Sequence, residues 1–306
     1  MPTPSRILIS GGSGFIGEHL RKLLSDQKID YSVLSRNQQK LECPVFQWNP
    51  DKLEMDPKAL DGVDTIVNLA GVGIADGRWS AERKWEILQS RSKSTDTLYN
   101  ALKSGNTKVK TVVSASATGY YGNSGLELME EDNPPGKDFL GMTCLAWEQS
   151  VRRIEQLGIR VVILRIGFVL AQNGGALPVM KIPVKFFVGS ALGSGRQFIS
   201  WVHIEDVCRA ILHVSSGSNV RGVYNLTAPA PVSNKEFIKT LAKTMHRPFW
   251  PISVPSFLLR ILLGEKSEIV LHGQRVSSEK LQQTGFQFMH VDLLKCMQLI
   301  LDKGSN

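Results

Sequence analysis

Seven residues near the N-terminus, Gly11-Gly12-Ser13-Gly14-Phe15-Ile16-Gly17, have the types and spacing to hold a diphosphate. Gly12, Gly14 and Gly17 satisfy the G-x-G-x-x-G pattern, and Gly11, Gly14 and Gly17 recur at intervals of three. A tight turn needs a residue free to take positive φ, the backbone must come close to a pyrophosphate, and the next helix must lie close on its strand; glycine serves all three needs. The helix N-terminus then offers free N–H groups and a partial positive charge to the phosphates. The alternative is a glycine-rich turn without a ligand. Roughly twenty residues past such a motif, a dinucleotide fold reads the ribose, with an acid for NAD or an arginine for NADP. That place holds Ser35-Arg36. Pairing of Arg36 with a 2′-phosphate would be a charge-assisted hydrogen bond of about 1.5–3 kcal/mol, so NADP(H) is the expected cofactor. An exposed loop arginine is the alternative.

The elements that must position these groups show in the periodicity. Near-continuous apolar runs at 6–10, 31–35, 45–48, 65–70, 110–114 and 160–170 have the character of strands covered on both faces. Between them lie helical patterns: Ile16, Leu20, Leu23 and Leu24, then stretches at 80–104 and 142–157 that end at Gly105 and Gly158 as C-caps would. This alternation predicts an α/β fold with a doubly wound, parallel, Rossmann-type sheet. From about Gln172 the pattern loosens, and Gly174-Gly175, Gly189, Gly193 and Gly195 mark loops of a smaller C-terminal α/β lobe. A helix at 205–214 and a strand at 222–228 return the chain to the first domain before segments at 233–245 and 256–263 close the second lobe. The expected division is 1–171 with 203–228 for the dinucleotide, and 172–202 with 229–306 for the substrate.

Composition sets the outer limits. A chain of 306 residues, 42% hydrophobic, can bury one large core and a smaller one. The net charge of +8 favours anionic company, but no run of five Lys or Arg marks a nucleic-acid surface, so nucleic acid is not an expected partner. Cys43, Cys144, Cys208 and Cys296 lie far apart without a C-x-x-C pair, which argues against a metal site or a disulfide framework and for a reducing compartment. A strand already at Arg6 leaves no room for a secretory leader, so the expected location is cytoplasmic. The apolar stretch Phe257-Leu258-Leu259 and Ile261-Leu262-Leu263 is broken by Arg260 and falls far short of the ~20 residues of a span. It is expected in a core or an interface, and no membrane partner is expected.

The glycine turn, Asn68-Leu69-Ala70-Gly71 and Ser114-Ala115-Ser116-Ala117-Thr118-Gly119-Tyr120-Tyr121-Gly122 together resemble an extended or atypical short-chain dehydrogenase/reductase. Ile74-Ala75-Asp76-Gly77-Arg78-Trp79, Gly193-Ser194-Gly195-Arg196-Gln197-Phe198, Trp201-Val202-His203-Ile204-Glu205-Asp206 and Gly273-Gln274-Arg275 resemble its epimerase-like subfamily, also described as cell-division-inhibitor-like. The resemblance spans nearly the whole chain. It implies a Rossmann-type domain with NADP(H) and a small lobe that closes a substrate cleft over the nicotinamide. It also implies that Leu69, Ala70 and Gly71 line the cofactor, that Glu86 and Arg91 reach toward it, and that Phe168 and Val169 lie near the nicotinamide. An exposed helix face for Glu86 and Arg91, and core packing for the apolar residues, are the alternatives.

Dehydrogenases of this fold use a tyrosine to move the proton, a lysine four residues later to lower its pKa, and a serine to polarise the carbonyl. With Glu148 matched to the acid on the same helix, the tyrosine and lysine positions fall on Leu140 and Cys144, which cannot do that work. Ser116 stands at the serine position, and Tyr120 and Tyr121 are candidates for a displaced acid. An unassisted phenol, with a pKa of about 10, is a poor acid–base at neutral pH, and the alternative is a packed aromatic pair. Histidine as a residue type could serve as an acid, but His203 sits in a stretch that resembles a structural connection. Cys144 lies among apolar neighbours and reads as a buried thiol. The leading function is an NADP(H)-dependent oxidoreductase or epimerase-like enzyme on a small carbonyl, alcohol or sugar-nucleotide substrate. The alternative is a non-catalytic NADP(H)-binding redox sensor or regulator.

Overall fold

The structure, a computed structural model, describes residues 4–37, 40–105 and 107–302. The outer ends of the expected lobes, 1–3 and 303–306, lie outside the described residues. Eight strands make the central sheet: β1 (Arg6–Ser10), β2 (Asp30–Ser35), β3 (Val45–Asn49), β4 (Glu54–Met55), β5 (Thr65–Asn68), β6 (Thr111–Ala117), β7 (Arg160–Ile166) and β8 (Gly222–Leu226). Their order is β8-β7-β6-β5-β1-β2-β3-β4. Every pairing is parallel except that of β3 with β4. The chain leaves β1 toward β2 on one side and returns to β5 on the other, which opens a crevice beyond the carboxyl ends of β1 and β5. Ile7, Leu8, Ile9, Ile66 and Val112 are fully buried, as strands covered on both faces require.

The helices are α1 (Phe15–Asp26), α2 (Ala81–Ser104), α3 (Phe139–Arg152), α4 (Leu177–Lys185), α5 (Ile204–Ser216), α6 (Asn234–Thr244) and α7 (Ser256–Leu263), followed by shorter turns and a last helix at Leu293–Asp302. Over the sheet, α1 packs with α5 and α2 with α3. Side-chain caps fix several starts: Ser80 accepts from the Arg83 N–H, Asp138 from Gly141 and Ser233 from Glu236. A second apolar cluster, which includes Leu177, Val184, Trp201, Phe237, Leu241 and Met297, lies apart from the sheet. Its frame is α4, α6, the last helix and a parallel pair formed by Gly189–Leu192 and Phe249–Val254.

Several expectations need correction. The run at 160–170 is not one strand: a Cβ at Gly167 would meet the Ser200 carbonyl oxygen and Thr227 Cγ2 (2.8 Å), and beyond it Phe168–Leu170 pairs with Trp201–His203. Asp138 starts α3 at Phe139, three residues before the expected 142. Gly158 takes the left-handed conformation of a C-cap (φ 75°), but Gly105 is extended at φ −103°. Between the glycines expected as loops lies α4, which accommodates Pro178 in its first turn and Pro183 inside. Within α7 only Leu259 is buried, so the stretch is not core. All four cysteines are free, and no helix among the described residues is long and apolar enough to cross a membrane.

Candidate functional site

The turn after β1 is pressed into its shape by backbone on two sides. Gly11 has φ 72°, and a Cβ there would lie 2.7 Å from the Leu69 carbonyl carbon. The Leu69 N–H donates to the Ser10 carbonyl at 3.0 Å, so the ends of β1 and β5 are locked together. A Cβ on Gly17 would meet the Gly11 carbonyl oxygen and the Gly12 Cα (2.6 Å), which is why α1 comes so close to the turn. Gly14 caps α1 without any side-chain hydrogen bond, and the first intrahelical bond is Glu18 N–H to the Gly14 carbonyl at 2.8 Å. The N–H groups of Phe15, Ile16 and Gly17 therefore have no intrahelical acceptor, beside an exposed Ser13 and Gly14. The Phe15 ring lies against Gly174 and Gly175, both at positive φ, where a Cβ on Gly174 would overlap the ring and one on Gly175 would approach it to 3.3 Å.

The remaining expected cofactor residues fall into three groups. At the end of β2 the buried Ser35 hydroxyl donates to the Asn37 carbonyl at 2.7 Å, while Arg36 is exposed and has no ion pair among the described residues. Beyond β5, Gly71 lies against Arg91, whose Cγ would be 3.2 Å from a Cβ there. Arg91 stacks over Trp147 at 5.1 Å and donates to the Ile87 carbonyl at 2.8 Å. Burial lowers its pKa, and no carboxylate among the described residues pairs with it. Glu86 is on the exposed side of α2, bound to Arg83 at 2.6 Å. Phe168 donates its N–H to the Ser200 carbonyl at 2.8 Å and meets Phe237 edge-on. The Val169 carbonyl lies against Gly175, 2.6 Å from where a Cβ would stand, which brings it to the Phe15 side of the turn. Thus the turn, Leu69, Ala70, Gly71, Arg91 and Val169 converge, and Glu86 does not.

Behind this crevice is a buried polar network. The Ser116 hydroxyl donates to Glu148 Oε1 at 2.7 Å, and Arg165 grips both Glu148 oxygens at 2.8 and 2.9 Å. Arg165 also donates to the Tyr121 hydroxyl and the Glu131 carbonyl, each at 2.9 Å. Tyr121 in turn donates to Asn225 Oδ1 at 2.7 Å, and the Asn225 N–H donates to the Glu131 carboxylate at 2.8 Å. The Arg165 guanidinium carbon is 3.4 Å from the Tyr120 ring centroid. Burial pushes the Tyr121 phenol up to about 12, against the pull of Arg165. Arg165, Glu131 and Asn225 were not singled out by sequence reasoning. The available signal was an arginine in the middle of a strand-like apolar run, which must find a partner if the strand is buried.

Near the lysine position the thiol of Cys144 is pushed up to about 12 by burial, with Arg91 opposing. His203 lies elsewhere, at the start of α5. Its Nδ1 accepts from the Glu205 N–H at 3.3 Å and its ring lies 3.9 Å from that of His290. Asp206 accepts the N–H groups of Met289 and His290 at 2.9 and 3.0 Å, so this corner fastens α5 to the chain before the last helix.

Residues 7–227 match the model of the NAD dependent epimerase/dehydratase family, and residues 254–300 match a domain of unknown function, DUF1731. The epimerase family protein YfhF of Bacillus subtilis is 38% identical over 302 residues, 97% of this chain and 98% of the relative. The epimerase family protein Mb2239 of Mycobacterium bovis is 39% identical over 286 residues, 93% of each chain. The crystal structure of human epimerase family protein SDR39U1 (isoform 2) with NADPH superposes with a TM-score of 0.87 at 30% identity, covering 97% of this chain and 99% of that one. With the family's match running through the glycine turn and the whole sheet, the chain belongs to the NAD dependent epimerase/dehydratase family.

Proposed function

We propose that the chain binds NADP(H) across the ends of β1, β2 and β5 and acts as an oxidoreductase or epimerase-type enzyme on a small carbonyl, alcohol or sugar-nucleotide substrate. The observation that carries this reading is the cradle at α1, an uncapped helix start walled by glycines where any Cβ would intrude. The N–H groups of Phe15, Ile16 and Gly17, with the Ser13 hydroxyl, hold the diphosphate. Ser35 and Arg36 take the ribose and its 2′-phosphate. Leu69, Ala70, Gly71, Phe168 and Val169 wall the crevice, Arg91 supplies a cation without an internal counter-ion, and Glu86, paired with Arg83, lies outside it. The human relative solved with NADPH supports the same choice. In this reading 1–171 with 203–228 form the cofactor lobe and 172–202 with 229–306 the substrate lobe, supported by the separate second apolar cluster and by the pairing of β8 with β7. The free cysteines fit a reducing, cytoplasmic setting.

A nicotinamide held here would supply hydride transfer, and the protein's own residues must handle the proton. Tyr120 carries it in this reading. Its hydroxyl has no hydrogen bond among the described residues, while the hydroxyls of Ser116 and Tyr121 donate to Glu148 and Asn225. Ser116 and Tyr121 are then positioning residues that hold Arg165 beneath the Tyr120 ring. With NADPH and a panel of aldehydes, ketones and sugar nucleotides, Tyr120→Phe should lower kcat about 10²- to 10⁴-fold while NADPH affinity is kept. A second reading, a non-catalytic NADP(H) sensor, is favoured by Leu140 and a neutral Cys144 at the tyrosine and lysine positions. Tight NADPH binding without turnover across the panel would decide for it.

A further inference from the structure

The second lobe carries an apolar surface that the cofactor crevice does not use. Phe186, Phe187, Trp250, Ile252, Phe257 and Ile261 are each between 52% and 79% exposed. They belong to connected backbone: the Trp250 indole N–H donates to the Phe187 carbonyl at 2.6 Å, Trp250 pairs with Ser190, and α7 begins two residues after Val254, which accepts from the Gly193 N–H at 2.8 Å. Exposed apolar patches of this kind on soluble proteins mark an interaction site.

The charges around the patch identify what it meets. Residues 172–203 contain Lys181, Lys185 and Arg196 and no Asp or Glu, and residues 235–268 contain Lys235, Lys239, Lys243, Arg247, Arg260 and Lys266 against Glu236, Glu265 and Glu268. Arg247 lies over the Phe187 ring at 4.6 Å, so cation and aromatic are adjacent. We infer that this face docks on an anionic lipid bilayer, with the aromatic and aliphatic side chains at the headgroup boundary and the cations on lipid phosphates. Exposed aromatics beside Lys and Arg, on an element too short to span, are the features of interfacial binding. A second copy fits poorly, because a two-fold contact would bring two copies of the same net-positive face together, and Glu265 beside α7 is already paired with Lys84. This inference does not rest on the cofactor reading.

The test is flotation of the full chain with vesicles of phosphatidylcholine alone or with about one-third phosphatidylglycerol, at low and high salt. Binding to the anionic vesicles only, weakened by salt, is expected. Two variant pairs, Phe257→Glu with Ile261→Glu and Lys185→Glu with Arg260→Glu, should each reduce partitioning about tenfold or more. Their side chains are exposed, and circular dichroism and melting check that each pair folds; if one does not, the other decides. Equal or absent binding to the two vesicle types would overturn the inference. So would lipid-independent dimerisation in sedimentation velocity that Phe257→Glu abolishes, which would assign the face to a second copy.

Discussion

Two guanidinium groups, Arg36 and Arg165, show how burial changes what the same side chain does. Arg36 stands in solvent without an ion pair among the described residues, so its charge is available to a 2′-phosphate. Arg36→Asp should shift the ratio of NADPH to NADH affinity by about ten- to a hundredfold toward NADH, read by titration of both cofactors. Arg165 is 2% exposed, and although burial disfavours its charge, the bidentate Glu148 holds its pKa above the ordinary value. Replacing Glu148 by Gln keeps the volume but leaves a buried cation without its counter-charge. A loss of about 3–5 kcal/mol in urea unfolding is expected, and a loss below about 1 kcal/mol would show that the network does not hold the site together. The sequence marked Arg36 by its distance from the glycine motif. It could not pair Arg165 with Glu148, because that contact joins a strand to a helix through tertiary packing.

At the scale of elements, the close fit of α1 against the turn is the feature most exposed to a single methyl group. Gly17→Ala would drive a Cβ into the Gly11 carbonyl and toward the Gly12 Cα, so α1 must move away from the glycine turn. The expected result is a cost of about 1–3 kcal/mol in stability with NADPH affinity reduced more than tenfold. Unchanged calorimetric affinity would show that the helix start does not hold the phosphates. β1, β2 and α1 were legible because apolar runs and glycine spacing agree over short range. β4 is two residues long and offers no period, while Pro178 and Pro183 break the helical signal of α4. The exposure of α7 was hidden for a different reason: its composition is that of a core helix, and only the position of its neighbours reveals that one residue of eight is buried.

For the whole molecule, the buried ionisable groups set the response to alkali. Burial pushes Cys144, Cys208, Cys296 and Tyr121 up to about 12 from ordinary values of 9.0 for the thiols and 10.0 for the phenol. At pH 7 these groups keep their protons in both states, and the unfolded thiols begin to lose theirs as pH nears 9. As pH rises from 9 to about 12 the unfolded chain loses them first, so the folded chain binds more protons and stability must fall across that window. Urea midpoints that stay level from pH 9 to pH 11 would contradict the burial of these groups.

Calorimetry of the full chain tests most directly whether the glycine turn and Arg36 together bind a phosphorylated nicotinamide dinucleotide. A saturable heat with NADPH is expected, with an affinity for NADH weaker by about tenfold or more. No heat with reduced or oxidised forms of either dinucleotide, on folded protein, would contradict it.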